Sequence, residues 1–342
     1  MKKYLNRIVP FILAFCVVNG IAFGYKYDPI WIKRDGGLTK GLYIPGSRVI
    51  NNEEGYGYGI IDENGYANYS AELREDYVLV FGNSQSNGHN VHYTDTYIYI
   101  LNKLFNSLEE TYVYNISNGG FTICDIVKGF KAGITEFPDS TAIIIQINDM
   151  NFDINTMEEA LNQRSYSDED SIDFLLQHRT VEETVLGWIK KYFPLVSIIV
   201  GEKYPKLEKG VDHIFVSTSG FDCVEEPYTN GTYEVVLDKA LKKIREEYER
   251  ELIILYLPPM EIKSDGMIIK YSEYYTNFVS VCRKYDIRIV DMGEKFLENY
   301  QLDYAIPYGF NNTLPGEGHL NKEGHAMVAQ VLYKLLTVRE YK

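Results

Sequence analysis

The chain has 342 residues, 45% of them hydrophobic, enough to build a full core in one large domain or two small ones, which excludes a disordered protein. A formal net charge of −14 disfavours nucleic acid and anionic membrane surfaces as main partners and fits a neutral or weakly charged substrate. Four cysteines, Cys16, Cys124, Cys223 and Cys282, show no CxxC spacing and point to neither a zinc site nor a disulfide scaffold.

At the N-terminus Lys2, Lys3 and Arg7 precede an apolar run over residues 8–23, the basic-then-hydrophobic order of an export signal. Segment 1–24 is expected to be a signal peptide, with small residues for cleavage at Ala22-Phe23-Gly24, or a membrane anchor, because the run approaches the roughly 17–25 residues of a bilayer span. Pro10, Asn19 and Gly20 weaken it as a permanent span, and a buried N-terminal helix is the third option. Residues 25–74 are rich in Gly, Asn and aromatics and read as a β-rich lead-in, with a hairpin turned at Glu63-Asn64-Gly65.

The apolar run Tyr77-Val78-Leu79-Val80-Phe81, stopped by Gly82-Asn83-Ser84, predicts a buried parallel strand ending in a tight turn that presents Ser84. Thr94-Asp95 are placed to cap a helix whose apolar residues Tyr97, Ile98, Ile100, Leu101, Leu104 and Phe105 fall at helical spacing. A strand at Tyr112-Val113-Tyr114, a helix over 122–136 and a strand at 142–147 follow, the last delivering Asn148. The same rhythm returns in a strand at 252–257, a helix over 267–284, a strand at 287–290 and a closing helix over 322–338. Such alternation argues for a parallel sheet built by right-handed crossovers. Between them, residues 151–231 break the rhythm and are read as an insertion, a lid or substrate wall, with polar residues 166–173, an amphipathic stretch 181–193 and a strand candidate at Ile214-Phe215-Val216.

Four stretches in order carry a resemblance. They are Gly82-Asn83-Ser84, Asn115 followed five residues on by Gly120, Asn148-Asp149, and His319-Leu320-Asn321 before the last helix. Together they resemble the motif blocks of the SGNH (GDSL-like) hydrolases from about Tyr77 to the C-terminus. The resemblance implies a three-layer α/β/α, flavodoxin-like sheet and a serine esterase that needs no metal or organic cofactor. It makes Ser84 the nucleophile and His319 the base. The backbone N–H groups of Ser84 and Gly120, with the Asn148 amide, become the oxyanion hole, Gly119 being the alternative to Gly120.

Two positions depart from the family pattern. Asn83 replaces the usual Asp, and Gly316 occupies the place of the usual acid three residues before the His. Glu317 is then the nearest carboxylate to orient His319; otherwise the pair works as a Ser-His dyad with a backbone carbonyl holding the imidazole. Family analogy and the export signal suggest acetylated cell-envelope polysaccharide as substrate. Two other readings share the residues: an O-acyltransferase acting on an exported glycan, and a non-catalytic glycan-binding or assembly protein that keeps the fold.

Overall fold

The structure, a computed structural model, describes residues 2–25, 31–32, 42–43, 45–46, 48–51, 54–70, 72–106, 112–162 and 230–337. It opens with helix α1 (Lys2–Tyr25), the paired short strands β1 (Trp31–Ile32) and β2 (Leu42–Tyr43), and the antiparallel hairpin of β3 (Arg48–Asn51) and β4 (Gly57–Ile60). Next come β5 (Tyr77–Phe81), the one-turn helix α2 (Ser84–Asn87), α3 (Tyr97–Asn106), β6 (Tyr112–Asn115), α4 (Ile123–Glu136), β7 (Ala142–Ile147) and α5 (Ile154–Asn162). After residue 229 follow α6 (Asn230–Glu247), β8 (Glu251–Tyr256), the hairpin β9 (Met260–Lys263) and β10 (Gly266–Ile269), α7 (Tyr275–Lys284), β11 (Arg288–Asp291), α8 (Gly293–Asp303) and α9 (Lys322–Thr337).

Five strands form one parallel sheet in the order β11-β8-β7-β5-β6. The chain starts in β5, steps outward to β6, then reverses to β7, β8 and β11, the doubly wound order of flavodoxin-like sheets. Period-two alternation divides the side chains between two cores. Leu79, Phe81, Ile143, Ile145 and Ile254 face α4, α5, α6 and α7. Val78, Val80, Ile144, Ile253 and Leu255 face α3, α8 and α9. Three layers result, and burial on both faces explains why β5 reads as an unbroken apolar run and β7 as one interrupted only by Gln146.

Strand β6 lies at the edge of the sheet, where outward backbone groups need partners. Two asparagine side chains supply them. Asn102 accepts from the Val113 N–H at 2.7 Å and donates to its C=O at 2.9 Å. Asn68 does the same for Asn115 at 3.0 and 2.9 Å. Asn68 also donates to Asp62, which accepts from the Tyr114 hydroxyl at 2.6 Å, so the lead-in is fastened to the sheet edge by buried polar contacts.

The described elements differ from the sequence expectation in three places. Residues 260–269 form the β9–β10 hairpin, and the helix expected over 267–284 begins only at Tyr275; Asp265-Gly266 closes the turn, and burial alternates from Met267 to Ile268. A short 3-10 turn, Tyr93–Asp95, precedes α3, whose first turn is capped by the Thr96 hydroxyl accepting from Tyr99 N–H at 3.3 Å in place of Thr94-Asp95. In the lead-in the strand pairing is β3 with β4, while 63–65 is a local turn wrapped around Asp62.

The candidate features at 166–173, 181–193 and 214–216, together with His178, His213 and Cys223, lie outside the described residues. Of the span 151–162, Phe152 and α5 pack into the core between α4 and α6. Along α1 the apolar side chains between residues 8 and 21 are mostly exposed, Phe11 at 75%, and none belongs to a buried cluster. Among the described residues no helix is long and apolar enough to cross a membrane.

Candidate active site

Ser84 is the first residue of α2, directly after the turn that ends β5. That turn is bolted to the neighbouring strand by Gln146 of β7, wholly buried, whose Oε1 accepts from the Asn83 N–H at 3.2 Å and from the Ser86 hydroxyl at 2.9 Å. On the other side, the end of β6 runs alongside, with Asn118 N–H donating to Gly82 C=O at 3.1 Å. The turn therefore sits at the carboxyl ends of β5, β6 and β7, where the strand order reverses and open α/β sheets form their crevice.

His319 comes from the loop before α9 and places Nε2 2.8 Å from Ser84 Oγ. Its Nδ1 lies 2.5 Å from Glu54 Oε2, and the Glu54 Oε1 accepts from the His319 backbone N–H at 2.6 Å. One carboxylate thus takes both the ring and the main chain of the same residue. Burial opposes ionisation of Glu54, but the hydrogen bonds and charge of His319 outweigh it and hold the carboxyl below its usual range. An ionised carboxylate only accepts, so Nδ1 carries a proton in the bond to Glu54, and Nε2 is the ring nitrogen that faces the Ser84 hydroxyl.

The expectation that Glu317 orients the imidazole is corrected by this arrangement. Glu317 is exposed, and both His319 nitrogens are occupied by other residues. Local backbone geometry gives the reason. Gly316, at the position of the family's usual acid, has φ +88°, and a Cβ there would stand 2.9 Å from Ile262 Cγ1 of β9, so neither conformation nor space admits an acid. At Gly318, φ is +78° and a Cβ would collide with the Glu54 carboxylate; the glycine makes room for it.

Glu54 is delivered by the loop between β3 and β4, held by Asn90 Nδ2 donating to Glu54 C=O at 3.1 Å and by Gly55 N–H donating to Asn312 Oδ1 at 2.8 Å. Sequence reasoning missed it because 265 residues separate it from His319. The available signal was the pair Glu53-Glu54 beside Gly55 and Gly57, a carboxylate in a loop flexible enough to approach another backbone.

Asn148 follows β7, and its orientation is fixed by a chain of bonds. Gln85 N–H needs an acceptor, which is Asn83 Oδ1 at 3.0 Å. The other half of that amide, Nδ2, then donates to Asn148 Oδ1 at 2.5 Å. Asn148 Nδ2 is left with no partner among the described residues and is available as a donor. Asn83 thus keeps the capping role an Asp would have and adds a donor that an Asp lacks. Gly120 lies in the loop after β6 with φ +76° and open space on its Cβ side. The structure joins Ser84, His319 and Glu54 directly and brings in Asn148 through Asn83, while Gly120 makes no hydrogen bond to any of them.

Three other histidines have structural places. His325 is buried in α9 and accepts from Tyr97 N–H at 3.3 Å; burial and the charge of His319 push it down to about 3. His89 meets the Tyr43 hydroxyl at 3.2 Å, and His92 caps the 3-10 turn. Among the described residues no three His, Cys, Asp or Glu side chains converge as metal ligands would. Cys16, Cys124 and Cys282 are free.

No family model matches the chain, and no curated protein matches it. Among solved structures it is similar to the psychrotrophic esterase EstA from Pseudoalteromonas sp., at 9% identity over 78% of this chain and 99% of that one, with a TM-score of 0.40. It is also similar to the acetyl xylan esterase AlAXEase, at 13% identity over 76% and 98% of the two chains, with a TM-score of 0.40. LAE5, an alpha/beta hydrolase enzyme from the metagenome of Lake Arreo, Spain, is similar at 14% identity over 75% and 92%, with a TM-score of 0.39. At such identities the chemistry of this site has to be read from its own side chains.

Proposed function

We propose that the chain is a serine esterase of the SGNH type that removes acyl groups, acetyl in the first instance, from an exported polysaccharide. The observation that carries this reading is the unbroken relay from Ser84 Oγ through His319 to Glu54, at 2.8 and 2.5 Å. In the acylation step Ser84 Oγ bonds to the ester carbonyl carbon while its proton passes to His319 Nε2. Glu54 stabilises the imidazolium that forms. The carbonyl oxygen becomes an oxyanion facing Asn148 Nδ2 and the N–H groups of Ser84 and Gly120. Collapse breaks the bond to the alcohol oxygen, which takes the proton from Nε2 and leaves. Water then repeats the sequence on the acyl-serine, its proton going to Nε2, to release the carboxylic acid and restore Ser84.

An acetylated carbohydrate is favoured as substrate by the motif resemblance and the acidic net charge. Export, with the N-terminal segment as signal or anchor, is part of the same proposal. It rests on Lys2, Lys3 and Arg7 preceding the apolar run and on the exposure of most apolar side chains between residues 8 and 21. A serine-reactive fluorophosphonate tests the chemistry. Purified protein should be labelled at Ser84 and hydrolyse a small aryl acetate, and Ser84→Ala should lose both while remaining folded. Wild-type hydrolysis by Ser84→Ala would sink the assignment.

A further inference from the structure

Gln85, the residue after Ser84, is 5% exposed, and its side chain reaches into the loop that carries His319. Its Oε1 accepts from the Leu320 N–H at 2.8 Å and its Nε2 donates to the Gly318 C=O at 3.1 Å. These backbone groups flank His319. A backbone N–H can only donate and a C=O only accept, so the amide has one permissible orientation and acts as a two-point clamp. We infer that Gln85 is a positioning residue for the reaction: the nucleophile helix itself sets the register of the base loop, so that the distance from Ser84 to His319 is fixed by adjacent residues on one rigid turn.

The rest of the loop shows why such a clamp matters. On its far side, His319 C=O accepts from Gly309 N–H at 3.1 Å, and Asn321 N–H donates to Pro307 C=O at 2.9 Å, pairing 307–309 with 319–321. Those contacts tie the loop to itself and to α9, and none reaches β5 or α2. Glu54 holds His319 from the lead-in, a separate piece of chain. Among these hydrogen bonds only those of Gln85 join the His319 loop backbone to the element bearing the nucleophile. Without them the imidazole keeps its acid but loses its fixed separation from Ser84, and misplacement of about 1 Å in a catalytic group costs about a hundredfold in rate.

The inference rests on the esterase reading, and its test separates the two. Gln85→Ala opens room for water to satisfy the freed backbone groups; Gln85→Met keeps the volume and removes both bonds. In each, kcat for a small aryl acetate should fall about a hundredfold with KM little changed, and the loss should vanish in a His319→Ala background because the clamp acts only through that ring. The far-downfield proton resonance of the His319–Glu54 hydrogen bond should persist, since that bond does not pass through Gln85. Wild-type kcat in a folded Gln85 variant, an equal loss added on top of His319→Ala, or failure of both variants to fold would each overturn the positioning role. Wild-type turnover in Ser84→Ala would overturn the esterase reading instead, leaving the imidazole resonance as the report on the loop.

Discussion

The site is built from two halves of different construction. Ser84, Asn83 and Asn148 stand at the ends of β5 and β7, their backbone set by the parallel sheet and by buried Gln146. Glu54 and His319 stand on loops that belong to no strand of that sheet; Asn90 and Asn312 hold the Glu54 loop, and Gln85 ties the His319 loop to the nucleophile helix. A strand-borne residue is placed by the cooperative core of the domain, whereas a loop-borne residue is placed by a handful of hydrogen bonds, each contributing about 0.5–1.5 kcal/mol. Precision at the loop half therefore depends on side chains that touch no substrate.

The largest effect should come from the acid. If Glu54 stabilises the imidazolium, Glu54→Gln should lower kcat by about four orders of magnitude, as loss of the charge leaves the wrong tautomer at His319. Glu317→Gln, an exposed change, should leave turnover at the wild-type level. Steady-state kinetics on the two variants decide between the loop acids; the reverse ranking would return the role to Glu317.

A smaller loss is expected on the strand-borne side. Removing one oxyanion donor costs about a hundred- to a thousandfold in kcat, so Asn148→Ala should slow turnover by that amount with an unchanged melting temperature. A variant that melts early but turns over normally per folded molecule would make Asn148 a strand-end cap and leave the oxyanion to backbone donors alone.

The third prediction asks how the platform beneath the loop half responds to acid. His325 in α9 is held neutral by burial and accepts a hydrogen bond from Tyr97, which an imidazolium cannot do. Its folded pKa, about 3, lies below the unfolded value near 6.5, so the unfolded state binds the proton more readily. The associated stability is complete above about pH 6.5 and declines by about 1.4 kcal/mol per pH unit as pH falls towards 3. Urea unfolding between pH 7.5 and 5 should show a slope smaller by about 1.4 kcal/mol per pH unit in His325→Asn, which retains an acceptor, than in the wild type, while His89, which burial also holds down to about 3, keeps its own share in both. An equal slope in both would place the titrating group elsewhere.

What the sequence determined by itself was the strand-borne half. Apolar runs of β-branched residues specify buried strands through burial on both faces, and the residues at or just beyond each strand end are then positioned by the sheet, so Ser84, Asn115 and Asn148 were legible as an ordered set. The alternation of strand and helix likewise implied the doubly wound sheet. Where a local cue outweighed periodicity, the reading slipped: Asp265-Gly266 turns a hairpin inside a stretch read as helix. Only the tertiary structure decided which acid meets His319. Gly316 is left-handed and crowded by Ile262, Gly318 leaves space for a visiting carboxylate, and Glu54 reaches that space from the β3–β4 loop. No periodicity or local motif encodes that meeting, because its partners are far apart in the chain and their approach is fixed by loop backbone conformation and by polar side chains on other elements.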